Sequence, residues 1–93
     1  MTISIIIPVL NEAGIIQETI KRLQGNSDVE IIVVDGGSKD RTVEIVKEWD
    51  LKLVISKKAG RSNQMNDGAA IAKGNILLFL HADTQLPPNY VQL

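Results

Sequence analysis

Three short segments of this 93-residue sequence are apolar at almost every position, and they restrict the fold more than any other feature. They lie in Ile3–Leu10, Glu30–Asp35 and Ile76–Leu80. A strand with one face in water alternates apolar and polar residues, whereas a strand covered on both faces does not. The pattern therefore predicts central strands of a parallel sheet. A fourth segment, starting at Leu51, does alternate and is predicted as a weaker strand at the sheet edge.

The segments between the predicted strands have the residue spacing of helices. Apolar residues that recur at i, i+4 and i+7 form one face of a helix, and small residues let a helix approach a sheet closely. Three helices are predicted on this basis. They have their apolar or small residues at Ile16, Ile20 and Leu23; at Ile45, Val46 and Trp49; and, between Asn63 and Lys73, at Gly68, Ala69, Ala70 and Ala72.

Polar residues after the first two strands are predicted to start the helices that follow. Asn11 and Ser38 favour the N-cap position, where a side chain accepts a hydrogen bond from the first helical turn. Glu12 and Asp40 suit the positive end of a helix. Pro8 cannot donate a hydrogen bond to a neighbouring strand, so it is predicted to mark the end of the first strand.

The order of elements, β-α-β-α-β-α-β, predicts an α/β fold: a Rossmann-like, three-layer αβα half-domain around a parallel sheet. We expect four strands in the order 3-2-1-4, with the switch in winding direction between strands 1 and 4. Ligands of such sheets bind at the carboxyl ends of the strands beside that switch. The loops Pro8–Glu12, Asp35–Ser38 and His81–Thr84 are therefore predicted to border a binding crevice.

The composition removes several classes of function. Ten basic and eleven acidic side chains give a formal net charge of -1, so the basic excess of a nucleic-acid-binding protein is absent. The chain has no cysteine, which excludes disulfide scaffolds and thiolate zinc sites. It also has no GxxxxGK[ST] phosphate-binding loop and no GxGxxG motif after the first strand. No apolar run reaches the length of a membrane span, and we expect a cytoplasmic chain or the cytoplasmic part of a longer protein.

Polar residues gather on the predicted rim of the crevice, and three of them are carboxylates. An acidic rim suits a phosphate ligand when Mg²⁺ or Mn²⁺, which prefer oxygen ligands, joins the two. Structural roles stay open for the same residues: Asn11 and Ser38 as helix caps, and Asp35 as an acceptor for the turn after it. The rim consists of Asn11, Glu12, Asp35, Ser38, His81, Asp83 and Thr84, and Arg61 lies where it can join them.

Four blocks of the sequence resemble the family 2 glycosyltransferases of the GT-A fold, and they occur in that family's order. Ser4–Glu12 is similar to the opening strand and loop, and Glu30–Ser38 to the second strand and its turn. Gly60–Gly68 resembles the nucleotide-contacting loop and third helix. Leu78–Thr84 resembles the strand that carries the DxD motif. Together the blocks cover nearly the whole chain.

The resemblance implies a donor-binding role for these blocks, with a UDP-linked sugar as the donor. Asp35 would accept a hydrogen bond from uracil N3–H, and Arg61 would reach the base or the diphosphate. Asp83 matches the last aspartate of the DxD motif and would bind Mg²⁺ or Mn²⁺, which holds the diphosphate as the leaving group. The implied nucleotide-binding residues are Pro8, Leu10, Asn11, Glu12, Asp35, Gly37, Arg61, His81 and Ala82, and the implied metal ligand is Asp83.

The sequence departs from the family's pattern in two places. The first aspartate of the DxD motif is His81 here, which lowers the negative charge of the implied metal site by one. No residue after Asp83 matches the catalytic carboxylate that deprotonates the acceptor hydroxyl in an inverting transfer, so that base is expected downstream of Leu93. We therefore expect residues 1–93 to be the donor-binding half of a truncated glycosyltransferase, an incomplete GT-A fold that is inactive by itself, with an unidentified acceptor.

The last predicted strand, Ile76–Leu80, is expected to leave an apolar edge unpaired, because no further strand is predicted after it. Such an edge favours self-association, so we expect a dimer or larger oligomer. The alternative function is a non-catalytic, regulatory α/β module that binds a nucleotide or phosphate. A receiver-like signalling domain with Asp35 as phosphoacceptor ranks lower, because it lacks the acidic pair expected after the first strand. Membrane association of the full-length protein stays open.

Overall fold

The chain alternates strands and helices as the sequence predicts. The structure is a computed structural model and describes residues 2–58 and 60–83. Within these residues, no helix combines the length and the apolarity needed to cross a membrane. The strands are β1 (Ile3–Val9), β2 (Val29–Asp35), β3 (Lys52–Ile55) and β4 (Ile76–Phe79), and the helices are α1 (Ile16–Leu23), α2 (Thr42–Val46) and α3 (Arg61–Ile71).

The four described strands form one parallel sheet in the order β3-β2-β1-β4, which confirms the predicted topology. β1 lies in the middle, with Ile6 paired to Ile32 on one side and to Phe79 on the other. The last pair of the β1–β2 ladder joins Val9 to Asp35. Because the strands are parallel, the loops that follow β1, β2 and β4 all start at the same edge of the sheet.

Helices cover both faces of β1 and β2, as their uninterrupted apolar runs predict. On one face, Ile5, Ile7 and Val9 pack against the apolar stripes of α1 and α2. On the other face, Ile6 packs beneath α3. A Cβ atom added at Gly68 would lie 2.5 Å from Ile6 Cγ2 and 3.0 Å from Val34 Cγ2, so α3 packs directly on these sheet side chains and leaves no room for a side chain at residue 68. The run of small residues in α3 therefore serves the close helix–sheet approach that the sequence predicts. β4 was also predicted as a central strand, but it lies at the edge of the described sheet, and Ile76, Leu77 and Phe79 are exposed.

Several element boundaries differ from the prediction by a few residues. α1 begins at Ile16, well after Asn11, because the N–H groups of residues 15 and 16 both bond to the carbonyl of Glu12 and form a separate turn. β1 continues through Val9, one residue beyond Pro8, because its ladder with β2 continues to that point. α3 begins and ends two residues earlier than predicted.

One charged group fastens the amino edge of the sheet, opposite the predicted crevice. The carboxylate of Glu30 accepts hydrogen bonds from Ser4 Oγ (2.6 Å), Lys52 Nζ (2.6 Å) and Lys73 N–H (2.9 Å). Burial raises the pKa of Glu30, but the hydrogen bonds from Lys52, from Lys73 N–H and from Ser4 outweigh this effect and hold the pKa at about 2. Glu30 thereby connects β1, β2, β3 and the segment after α3.

Replacing Glu30 by glutamine is expected to destabilise the fold at neutral pH and to remove one acid-dependent step. The pKa of about 2 in the folded chain lies below the ordinary value of 4.5, so the unfolded chain binds this proton more readily. The contribution of the Glu30 carboxylate to the free energy of unfolding is therefore complete above pH 4.5 and is lost as the pH falls towards 2. The full pKa shift corresponds to about 3 kcal/mol, and the contribution to stability is smaller because solvent screens the ion pair with the partly exposed Lys52.

Urea unfolding at a series of pH values measures this contribution, with the exposed Glu48→Gln as the matched control. The wild type and Glu48→Gln should lose stability in the acid range, whereas Glu30→Gln should lose less. Equal free energies of unfolding for Glu30→Gln and the wild type at neutral pH would contradict the assignment.

Candidate functional site

The loops at the carboxyl edge of the sheet surround two adjoining cavities. The inner cavity, of about 370 Å³, lies between the end of β1 and the start of α3. The outer cavity, of about 400 Å³, lies between the β1 loop and the residues after β4. Pro8, Glu12 and Arg61 line both cavities; Val9, Leu10, Gly60 and Gln64 complete the inner one, and His81, Ala82 and Asp83 complete the outer one.

Most of the residues singled out from the sequence line these cavities, but four of the described ones do not. Asn11, Asp35, Gly37 and Ser38 line neither cavity and lie in or next to the loops that border them. Arg61, which precedes the helix predicted between Asn63 and Lys73, is instead the first residue of α3. Thr84 lies outside the described residues. Topology alone therefore brings residues from the first, third and last quarters of the chain to one crevice.

Asn11 and Ser38 do not cap the helices that follow them, and this prediction was wrong. The N–H of Asn11 donates to Ser38 Oγ (2.9 Å), and Asn11 Oδ1 accepts from Lys39 N–H (2.8 Å). The two side chains thus join the loop after β1 to the loop after β2. Asn11 has a φ of 54°, a left-handed conformation that asparagine tolerates better than most residues.

Thr42 is a site residue that the sequence analysis did not single out. Its buried hydroxyl accepts a hydrogen bond from Glu12 N–H (2.9 Å) and donates one to the carboxylate of Asp40. This donated bond lowers the pKa of Asp40; desolvation opposes the effect, and the N–H groups of Thr42 and Ala13 reinforce it. Thr42 thus fixes the backbone of Glu12, which was predicted to lie in the first turn of a helix. The Asp-x-Thr pattern that ends the loop was the available signal.

Asp35 is almost completely buried at the end of β2, with 2% of its surface exposed. Its Oδ2 accepts hydrogen bonds from the N–H groups of Gly37 (2.9 Å) and Ser38 (3.0 Å), so the structural role in the following turn is present. Its Oδ1 is buried and has no hydrogen-bond partner among the described residues. Because buried carboxylate oxygens normally have a donor, Asp35 has the capacity for one further hydrogen bond.

Gln64 is a second residue that the sequence analysis did not assign. It is buried on the sheet-facing side of α3, and its Nε2 donates to the carbonyl oxygens of Val9 and Val34, both at 2.9 Å. A signal was available, since Gln64 lies four residues before Gly68 and so shares its helix face. A polar residue on a face that otherwise carries small residues indicates a specific partner in the sheet.

The segment after β4 is held in place while its polar side chains stay exposed. The N–H of Leu80 extends the ladder by donating to Ile6 O (3.0 Å), and the hydroxyl of Thr19 on α1 donates to the carbonyl of Ala82. Ala82 is buried, whereas His81 and Asp83 on either side of it are exposed and line the outer cavity. The backbone here is therefore fixed by α1 and β1, and His81 and Asp83 are accessible to a ligand.

The side chains that line the outer cavity could bind a divalent cation if a phosphate ligand supplied further oxygen ligands to it. Glu12, His81 and Asp83 line this cavity. Across residues 2–58 and 60–83, however, no cluster of three or more acidic, histidine or cysteine side chains could hold a metal by itself. Mg²⁺ often takes one or two carboxylates and completes its shell with water and phosphate oxygens. Asp83 together with a phosphate fits this arrangement, and an all-protein metal site does not.

Comparison with known proteins places the chain among glycosyltransferases. The family model described as "Glycosyl transferase family 2" matches residues 4–93. The uncharacterized glycosyltransferase YkcC of Bacillus subtilis (strain 168) is 35% identical over 99 residues, which cover 95% of this chain and 31% of YkcC. The chain spans less than a third of the length of the curated relatives that it matches first.

Two solved structures share the fold over nearly the whole chain. The mannosyltransferase PcManGT from Pyrobaculum calidifontis, in complex with GDP-Man and Mn²⁺, has a TM-score of 0.84 and 28% identity over 91% of this chain and 28% of its own. Glucosyl-3-phosphoglycerate synthase from Mycobacterium tuberculosis, in complex with Mn²⁺, UDP and glucosyl-3-phosphoglycerate, has a TM-score of 0.82 and 27% identity. That match covers 98% of this chain and 37% of the synthase.

Proposed function

Because this chain belongs to glycosyl transferase family 2, we propose that it binds the nucleotide diphosphate part of a nucleotide-sugar at the carboxyl edge of its sheet. The observation that carries the proposal is that Pro8, Glu12 and Arg61 line both cavities and so make them one crevice. The two parts, of about 370 and 400 Å³, have the size of small-molecule sites. The nucleotide and Mn²⁺ in the two structural neighbours support this class of ligand.

The base is proposed to lie towards β2, where Asp35 has an unpartnered carboxylate oxygen. The ladder partner of Asp35, Val9, lines the inner cavity. An N–H group of a base would supply the missing donor, and uracil presents one at N3. Guanine also presents a ring N–H, and UDP is the proposed nucleotide because the family resemblance implies uracil as the base. Binding of GDP in preference to UDP would redirect the assignment to guanine.

The diphosphate is proposed to lie in the outer cavity, between Arg61 and Asp83. Arg61 supplies positive charge at the start of α3, and Asp83 is the proposed ligand for Mg²⁺ or Mn²⁺. When bound, the ion would neutralise the diphosphate and so stabilise it as a leaving group. His81 replaces a carboxylate of the usual motif, and its imidazole is proposed to donate a hydrogen bond to the ligand and not to add negative charge.

Transfer of the sugar is proposed for the full-length protein, with residues 1–93 supplying the donor half. An inverting transfer needs a carboxylate that deprotonates the acceptor hydroxyl. The acidic residues near the crevice, Glu12, Asp35 and Asp83, are assigned to the nucleotide, the base and the metal. The catalytic base is therefore proposed to lie elsewhere. The chain by itself is expected to bind a UDP-sugar but not to transfer the sugar, so no UDP is formed.

Calorimetric titration tests this function. UDP, GDP and CDP are titrated into the chain, each with and without Mn²⁺. The proposal expects UDP to bind, and to bind more tightly when Mn²⁺ is present. Failure of both UDP and GDP to bind in the presence of Mn²⁺ would contradict it.

Self-association is proposed to occur through the edge of β4. Ile76, Leu77 and Phe79 are 44%, 42% and 46% exposed, and within the described residues no strand pairs with the free edge of β4. Exposed apolar edges favour pairing with another chain, and a lysine on such an edge opposes it. Leu77→Lys is therefore expected to weaken association by at least about tenfold.

Sedimentation velocity over a range of concentrations measures this association. The wild type should form a dimer or larger species as the concentration rises from micromolar to millimolar, and Leu77→Lys should shift the transition upwards. The exposed Gln24→Lys serves as a control for the added charge. A wild type that stays monomeric over the whole range would show that the edge does not mediate association.

A further inference from the structure

The side-chain amide of Gln64 is buried in α3, where 4% of the residue is exposed. Burying an amide is costly unless its polar atoms have hydrogen-bond partners. Nε2 has two hydrogens, and it donates to two carbonyl oxygens, those of Val9 and Val34, at 2.9 Å each. The side chain is therefore held in one orientation by two separate strands.

Both acceptors lie where β1 and β2 end and the loops of the crevice begin. Val9 makes the last ladder pair, with Asp35, and its carbonyl also accepts a hydrogen bond from Gly36 N–H at 2.9 Å. Val34 directly precedes Asp35. Gln64 thus connects the two strand ends to each other and to α3 at the point where backbone pairing stops.

Gly36 shows how closely the loop after β2 packs against this amide. A Cβ atom at residue 36 would lie 2.7 Å from Gln64 Cδ, 2.8 Å from its Oε1 and 2.9 Å from its Nε2. These distances are shorter than van der Waals contact, so any larger residue would displace either the loop or the amide. The absence of a side chain at residue 36 and the presence of the amide at residue 64 are therefore coupled.

We propose that Gln64 is a positioning residue for the nucleotide site, an inference that rests on the proposed function. Its amide fixes the loop Leu10–Glu12 and the loop Asp35–Ser38 relative to each other and to Arg61, three residues before it on α3. Gln64 also lines the inner cavity, so its position sets the width of that cavity. Groups held in place before binding lose less conformational freedom when the ligand arrives, and this increases affinity.

Gln64→Met tests the proposal, because methionine has a similar length and no donor. The affinity for UDP with Mn²⁺ is expected to fall by about tenfold or more, measured by calorimetry where every variant is fully folded. The matched control is Gln17→Met, since Gln17 is an exposed glutamine of α1. Wild-type affinity in Gln64→Met would overturn the proposal.

Gln64→Glu separates positioning from simple filling of space. At neutral pH its carboxylate would face two carbonyl oxygens, and binding should be weak. Protonation in acid returns one donor, so the affinity of Gln64→Glu relative to that of Gln64→Met should rise as the pH falls. A ratio that does not change with pH would count against a role for the hydrogen bonds.

A double substitution tests the coupling between residues 36 and 64. Gly36→Ala is expected to weaken UDP binding strongly in the wild type, and much less when Gln64 is also replaced by alanine, which vacates the space. Additive losses of affinity would show that the two residues act independently, and the inferred positioning through Gly36 would be wrong.

Amide hydrogen exchange without ligand keeps this inference separate from the proposed function. Gln64→Met should accelerate exchange at the N–H groups of Gly36, Gly37 and Ser38, and leave Ile6 in the centre of β1 unchanged. Failure of the wild type to bind UDP or GDP would overturn the proposed function. The exchange rates would then still test, without any ligand, whether Gln64 positions the loop. Unchanged exchange in the loop would overturn that role.

Discussion

Asp83→Asn is expected to remove the effect of Mn²⁺ on UDP binding, with an affinity loss of about 100-fold at saturating metal. The substitution keeps the size of the side chain and removes the negative charge that the cation requires. Asp83 is exposed, and the backbone of its loop is fixed by the bond from Thr19 to Ala82. The fold should therefore be unaffected. Calorimetric titration of UDP into the variant, with and without Mn²⁺, measures the effect.

The matched control for this prediction is Asp50→Asn, which removes one exposed carboxylate away from the crevice. It should retain the full enhancement by Mn²⁺. If Asp83→Asn also retains that enhancement, the ion is held by other groups and the role assigned to Asp83 is wrong.

Asp35→Asn is expected to weaken UDP binding by about 10- to 100-fold, because a hydrogen bond to a charged acceptor contributes about 1.5–3 kcal/mol. In the wild type, Oδ2 accepts from Gly37 N–H and Ser38 N–H, while Oδ1 is without a partner. Asparagine has one acceptor oxygen and one donor group. Its one oxygen can accept from the N–H groups of the turn or from the N–H of the base, but it cannot do both.

CDP provides a sharp comparison for Asp35, because cytosine has an acceptor at N3 where uracil has a donor. The wild type should bind UDP more tightly than CDP, and Asp35→Asn should reduce or reverse that preference. Asp28→Asn, at the other end of β2, should leave the preference unchanged. A wild type that binds UDP and CDP equally well would show that Asp35 does not read the base.

The sheet and its layers could be predicted because they depend on patterns that are local in sequence. The runs around Ile6 and Ile32 required cover on both faces, and the small residues near Gly68 allowed a helix to supply it. The caps were predicted wrongly for the opposite reason. Asn11 and Ser38 have the chemistry of N-caps, but each bonds to the loop that contains the other. Ser38 Oγ accepts from Asn11 N–H, 27 residues away, and Asn11 Oδ1 accepts from Lys39 N–H, 28 residues away. A local window shows that a residue can accept a hydrogen bond and does not show which donor is closest.

The same distinction separates the site residues that were predicted from those that were missed. Glu12, Arg61 and Asp83 could be placed at one crevice because the topology of a parallel sheet brings its carboxyl ends together. Thr42 and Gln64 act through backbone groups that lie far away in sequence: Gln64 bonds to carbonyls 30 and 55 residues before it. Only the folded chain identifies such partners, since every residue offers the same backbone groups.

Paramagnetic broadening by Mn²⁺ tests the central claim most directly, namely that these loops form one site for a nucleotide diphosphate and a metal. NMR spectra of the isotope-labelled chain are recorded with UDP and a small amount of Mn²⁺. The N–H signals of Glu12, Arg61 and Asp83 should broaden, while those of Thr2 and Asn75 at the opposite edge stay sharp, and omitting UDP should reduce the effect. Broadening centred elsewhere, or equal with and without UDP, would contradict the account.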